Sequence, residues 1–348
     1  MKTLLRLLLK SQHQRNRSRS SQTDKGMTLV ELLVGSIMAF LIITPMLAFV
    51  VDMLNTDRRE QVKSNTEQDL QAAVDFIAQD LSQAIYIYDQ AGITAINPTT
   101  LLSTPPANTT ATPILVFWKR QQIKNAVPIN SAASAKKPSD CKSNAGQCND
   151  TYVLSLVAYY QFKDTTPNST WCQPSGVPCP TRIARYEIRD GVKNPSSLDP
   201  DNPYYSLTDE NEYAPDEAFN PSFDISKPLV NVTQKDGFKD FQVLVNYIDH
   251  SVPKQPLPNN ECTIALGNPT DTTGVTPTPV PETTLKIANP DNTNSFYACV
   301  DTAKNIARVT IRGNSLRRIQ TDANYKDEKS AYFPIATVQV QGLGATGK

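Results

Sequence analysis

The side chains that usually carry catalysis are few in this chain, and they are poorly spaced for it. Of 348 residues only two are histidine, His13 and His250. A Ser-His-Asp or Cys-His mechanism would have to recruit one of them, and no Gly-x-Ser-x-Gly elbow accompanies either. His250 sits beside a Pro-rich stretch and reads as a surface histidine. The run from Gly342 to Lys348, Gly-Leu-Gly-Ala-Thr-Gly-Lys, opens like a phosphate-binding loop. The hydroxyl that should hold magnesium is missing after Lys348, and no helix follows to lend its N-terminus, so a flexible tail is expected. The acidic residues Asp199, Asp201, Asp209, Glu210, Glu212, Asp216 and Glu217 supply hard oxygen donors of the kind calcium takes. They lack the Asp-x-Asp-x-Asp-Gly spacing of a calcium loop and suit a solvated surface. No catalytic residue and no cofactor is expected, and an enzyme is the weakest reading.

Six cysteines, Cys141, Cys148, Cys172, Cys179, Cys262 and Cys299, lie in the distal part of the chain. Zinc sites favour C-x2-C or C-x4-C with histidine nearby, whereas here the spacing is C-x6-C twice and then a wider pair. An even count far from the N-terminus suits disulfides formed in an oxidising compartment. Sequence alone does not separate the possible pairings; the local arrangement 141–148, 172–179 and 262–299 is the expectation. Aromatic residues such as Trp118, Tyr159, Tyr160, Trp171, Tyr204, Tyr205 and Tyr213 would stack on sugar rings if exposed, but each singly better suits core packing or loop anchoring.

Charge is unevenly placed. Thirty-four basic and 34 acidic residues cancel over the whole chain, which excludes a general bias toward nucleic acid. Residues 1–26 nevertheless carry seven cations against Asp24 alone, leaving the remaining 322 residues at net minus six. Directly afterwards, Leu32 to Val51 is a stretch of 20 residues without a charge. A membrane-crossing helix needs ~20 apolar residues, and a basic flank marks the side that stays in the cytoplasm. A cleavable secretory signal would carry a shorter apolar run with a small-x-small site behind it, which is absent here. The segment is expected to span and stay, with the large remainder exported.

One carboxylate, Glu31, stands at the mouth of this run. At the bilayer centre such a charge costs ~2.5–3.5 kcal/mol, less near the interface. As an interfacial residue it would simply mark the helix start; a functional role needs a cation nearby, and a cut between Gly26 and Met27 would create one, the α-amine of Met27. A neighbouring copy could offer that amine to Glu31 and neutralise both charges in an apolar filament core. Pro45 interrupts the same helix and is expected to kink it.

The string Lys25-Gly26-Met27-Thr28-Leu29-Val30-Glu31-Leu32-Leu33-Val34 resembles the class III signal of type IV prepilins and type II secretion pseudopilins. The resemblance implies that a prepilin peptidase cuts after Gly26 and N-methylates Met27, and that Glu31, fifth in the mature chain, is the assembly glutamate. At Pro45 it implies, instead of a plain kink, local melting during filament packing. Met27 stands where phenylalanine is commoner, and Val30 where isoleucine is. The segment from Glu67 to Leu81, ending Gln79-Asp80-Leu81, is similar to minor pilins of the PilW and GspJ type. Residues 1–10, 37–46 and 55–61, with Phe117-Trp118-Lys119 and the run Ser155 to Tyr160, look like the HpsC-type pseudopilins of hormogonium polysaccharide secretion in filamentous cyanobacteria. The implied partners are the peptidase, other pilins or pseudopilins, an inner-membrane assembly platform and the membrane itself, with polysaccharide as a further one. The implied location is a single-pass inner membrane protein with its C-terminal domain outside, entering a filament after cleavage. A surface adhesin or polysaccharide binder on a pilin anchor is the competing expectation.

The elements that must position these residues follow from periodicity. Leu70, Val74, Ile77, Leu81 and Ile85 form one helical stripe, and no Pro or Gly falls between Pro45 and Gly92. The spacing predicts a helix from about Thr28 to near Tyr88. Beyond Gly92, runs rich in Val, Ile, Tyr and Phe predict strands at 114–118, 152–162, 182–189, 238–248, 307–312 and 332–341. Long Thr/Pro-rich or acidic loops separate them at 97–113, 195–228 and 252–294. The expected fold is α+β and pilin-like, a long N-terminal helix on a mainly antiparallel sheet with disulfide-bearing loops. Four segments are expected: a cytoplasmic leader 1–26, a transmembrane assembly helix 27–51, an amphipathic helical continuation 52–90 and an exported β-rich domain 91–348.

Overall fold

The computed structural model describes residues 28–96, 108–129, 136–199, 203–205, 213–216, 219, 241–253, 257–271, 274, 276–291 and 293–345. The leader, Gly26 and Met27, together with Asp201 and Asp209, lie outside them. The chain divides into two units, Met1–Asp57 and Arg58–Lys348.

Helix α1, Leu29–Ser82, is unbroken over 54 residues. In the first unit every described residue, 28 to 57, is exposed, and this includes the whole apolar run. By length and composition the helix can cross a membrane. Pro45 lies inside it. Proline lacks the N–H that would bond the carbonyl four residues back. The hydroxyl of Thr44 donates to the Phe40 carbonyl at 2.8 Å, one residue away on that side of the turn.

In the second unit the same helix turns amphipathic. Leu70, Val74, Ile77 and Leu81 are buried as their spacing demands, with Ala73 and Thr66 beside them. The helix stops at Ser82, six residues before the sequence reading ends it. Ala84–Ile87 is instead a strand, β1, pairing antiparallel with β2 at Tyr86↔Trp118 and Ile87↔Phe117. Ile85, Tyr86 and Ile87 are β-branched or aromatic and prefer a pleated, half-buried surface once a partner strand is present. No glycine or proline marks the boundary, so a helical period could be read straight through it. Helix α2, Gln90–Ile96, follows.

The strands form two main sheets where the sequence suggests one. The first is a meander in chain order: β1, β2 (Thr109–Pro128), β3 (Cys148–Asp164), β4 (Thr181–Arg189) and β5 (Gln242–Ile248), every pair antiparallel. The second has the order β11 (Ile335–Gln341), β10 (Ile306–Arg312), β9 (Phe296–Asp301), β8 (Lys286–Ala288), also antiparallel. Helices α3 (Glu261–Ala265) and α4 (Glu282–Leu285) and the two-residue strands β6 (Thr270–Asp271) and β7 (Thr278–Pro279) fill the segment before β8. Much of the expected 252–294 loop is therefore ordered structure. Strand β2 is 20 residues long, reaching well beyond the five apolar ones, and tolerates Pro113 because a register shift falls there.

One core joins these parts. Leu70, Val74, Ile77 and Leu81 of α1 belong to the same buried cluster as Phe117, Trp118, Val157, Tyr159 and Ile188 of the first sheet and Phe296, Val309 and Ile311 of the second. Gly313 lets α1 approach closely. A Cβ there would lie 2.8 Å from Thr66 Cγ2 and 3.0 Å from Leu70 Cδ1. The three disulfides are Cys141–Cys148, Cys172–Cys179 and Cys262–Cys299, the local arrangement expected from spacing. The fold is α+β, with a long apolar N-terminal helix and antiparallel sheets.

Candidate functional site

Glu31 sits in the first turn of α1. Its Oε2 accepts hydrogen bonds from the Thr28 backbone N–H and the Thr28 hydroxyl, both at 3.1 Å, and its own N–H donates to Thr28 Oγ1 at 3.3 Å. This is a reciprocal capping box, which satisfies donors that every helix N-terminus leaves orphaned. The carboxylate also lies at the positive end of the helix dipole. Thr28-x-x-Glu31 before an apolar run is the sequence signature of such a box, and it was open to a reader of the sequence. So Glu31 already has a local partner, and the arrangement holds its carboxylate at the very start of the apolar run.

At the other end of α1 a second carboxylate, Asp80, is buried against the first sheet. Tyr159 of β3 donates its hydroxyl to Oδ2 at 2.7 Å, Arg185 of β4 donates Nε to Oδ2 at 2.6 Å, and Lys119 of β2 reaches Oδ1 at 3.0 Å. Glu187 of β4 completes the group, 3.2 Å from Lys119 Nζ and 2.7 Å from Arg185 Nη2. Two cations meet two carboxylates, so the cluster is neutral. Burial pushes the pKa of Asp80 up, but the Arg185 hydrogen bond and the Lys119 charge outweigh it and leave the carboxyl below its ordinary value. Glu187 ends lowered in the same way, burial being overcome by Lys119 and then Arg185. The cluster ties the helix to three strands and leaves no side chain poised for proton transfer.

His250 is a correction. It is only 6% exposed rather than a surface residue. Burial lowers its pKa, Asp249 opposes that, and Arg317 and Lys163 reinforce it. Next to it Asp249 accepts from Arg312 Nε at 3.0 Å and from Asn314 Nδ2 at 3.1 Å, a buried network that joins the two sheets. Arg317, fully buried, donates to the carbonyls of Pro174 at 2.9 Å, Gly176 at 3.0 Å and Pro178 at 3.2 Å, and so fills the inside of the Cys172–Cys179 loop.

The glycines of the C-terminal run have a packing role. A Cβ on Gly342 would lie 2.3 Å from the Ala84 carbonyl oxygen, and one on Gly344 2.0 Å from that of Ile85. Only bare backbone fits against β1 there, so the described part of this run is a packed segment rather than a loose tail. Among the acidic calcium candidates Asp199 is exposed and Asp216 is half-buried, accepting the Arg189 N–H at 2.7 Å, and no group of three metal-ligating side chains occurs among the described residues. Trp118, Tyr159 and Tyr160 are core residues; Trp171 is 38% exposed. A cavity of about 410 Å³ opens beside β6 and β7, lined in part by Asp89, Thr270, Asp271, Thr284 and Asp301. Compared with family models, with curated proteins and with solved structures, the chain matches none of them.

Proposed function

We propose that this chain is a minor pseudopilin, a non-catalytic subunit of a type IV pilus or type II secretion-like filament that serves polysaccharide secretion and surface motility. The observation that carries the reading is one carboxylate at the mouth of an exposed apolar helix, five residues past Gly26. A prepilin peptidase removes the leader at Gly26 and methylates Met27. The helix remains in the inner membrane until the assembly platform draws the subunit into the filament, with its C-terminal domain outside. The amine of Met27 on a neighbouring subunit then competes for Glu31 with the Thr28 cap. The amine adds what the Thr28 donors lack, a full opposite charge, whose attraction is screened far less in an apolar surrounding than in water.

The test is Glu31→Ala. The variant inserts and is cleaved as the native chain is, but its recovery in sheared filaments falls; incorporation equal to wild type contradicts the pairing. The second reading, a polysaccharide binder on the same anchor, is favoured by the hydroxyl- and carboxylate-lined cavity beside β6 and β7. Retention of the protein on secreted polysaccharide, lost on Asp271→Ala and unchanged by Glu31→Ala, would favour it.

A further inference from the structure

The edges of the sheets differ in how they are protected. An edge strand presents unpaired N–H and C=O groups, and proteins blunt such edges with short strands, bulges, proline, charge or a covering segment. Strand β1 has four residues and a bulge, and Gly342 and Gly344 lie against its backbone. Strand β5 meets β4 with two register shifts, and β8 has three residues.

Among the described residues, strand β11 carries none of these devices. Its seven residues, Ile335 to Gln341, pair with β10 in unbroken register, with no bulge. They include no charge, no proline and no glycine: Ile-Ala-Thr-Val-Gln-Val-Gln. None of the seven is fully buried, and Ile335 is 64% exposed. Alternate residues of an edge strand turn their backbone groups away from the sheet. Among the described residues, no backbone hydrogen bond outside the β10 ladder reaches 335–341. Such a strand is a template for another.

We propose that β11 pairs antiparallel with β11 of a second copy of this chain, joining two four-stranded sheets about a two-fold axis through Val338. The occupant follows from the strand's own pattern. With Val338 opposite itself, Ala336 meets Val340, Thr337 meets Gln339 and Ile335 meets Gln341. Ala336, Val338 and Val340 are the residues packed on the core side, so the apolar face of one strand continues into that of its copy. An even register keeps faces matched, whereas a slip by one residue sets apolar against polar. No like charges meet anywhere along the pair. A two-fold contact is self-complementary by construction, and in this register the core-side face is apolar throughout while the other face pairs Thr337 with Gln339 and Ile335 with Gln341. The inference does not rest on the filament reading.

Cysteine crosslinking of the full-length protein in detergent tests it. No free cysteine is present to interfere. Directly opposed residues have Cβ atoms ~4.5–5.5 Å apart, close to what a disulfide spans. T337C and Q339C are prepared separately, then mixed and oxidised with copper phenanthroline. The expected result is a covalent dimer in the mixture at least about fivefold above either variant alone, since each cysteine opposes the other position and not itself. I335C with Q341C gives the same result in the same register and covers the chance that the first pair disturbs the Thr337–Thr310 hydroxyl contact. Absence of dimer in both mixtures overturns the proposal. So does equal crosslinking in mixtures and single variants, which marks random collision or association through the apolar helix. A dimer from T337C alone that exceeds the mixture also overturns it, since that fixes a different register.

Discussion

At the scale of single residues, two carboxylates of one helix do opposite jobs. Glu31 is exposed and its carboxylate is held by the Thr28 cap alone, so under the proposed role it can exchange its partner. Asp80 is buried among two cations and a phenol, so it cannot. Removing one member of a buried, balanced charge cluster leaves the others uncompensated and costs ~3–5 kcal/mol. Asp80→Ala is therefore expected to lower unfolding free energy in urea by that amount; a loss under ~1 kcal/mol would contradict the tether. The same cluster sets an acid dependence. Asp80 and Glu187 both titrate below their ordinary 3.8 and 4.5, so the unfolded chain binds more protons than the native one in that range. Their contribution is complete above the ordinary values and is lost as pH falls through the depressed ones. Melting temperature should drop on acidification below about pH 4.5, and the drop should be shallower in Glu187→Gln.

At the scale of elements, the sequence was legible where a period ran long enough. The stripe Leu70, Val74, Ile77, Leu81 is the buried face of α1, and six of the strands fall on the predicted apolar runs. Two kinds of element escaped. Strand β1 continued the helical period for one more residue, Ile85, and only the presence of β2 decided between helix and strand. Strand β9, Phe296–Asp301, is buried at every position, so its alternation is hidden, and it lies just past a Pro- and Thr-rich stretch that dominated the reading. His250 shows the same limit, because a polar residue near prolines suits a surface until the fold buries it beside Asp249, Arg317 and Lys163. The packing of α1 on the sheets depends on Gly313. Gly313→Ala forces a Cβ within 2.8 Å of Thr66 Cγ2, a stiff β-branched methyl, and should cost ~1–3 kcal/mol. Thr66→Ser in the same chain removes that methyl and should recover part of the loss; no recovery would show that another contact limits the site.

At the scale of the molecule, an apolar N-terminal helix that nothing in the first unit covers precedes a disulfide-bearing α+β unit in which buried ion pairs tie the helix and strands together. That combination fits a protein that inserts and assembles, and the proposed role turns on what happens at the Gly26–Met27 bond. The direct measurement is the intact mass of the native protein purified from membranes. The account predicts a chain that begins at Met27, carries one added methyl group and lacks the thiol hydrogens of three disulfides. A mass that retains residues 1–26, or that places the first residue anywhere other than Met27, would contradict it.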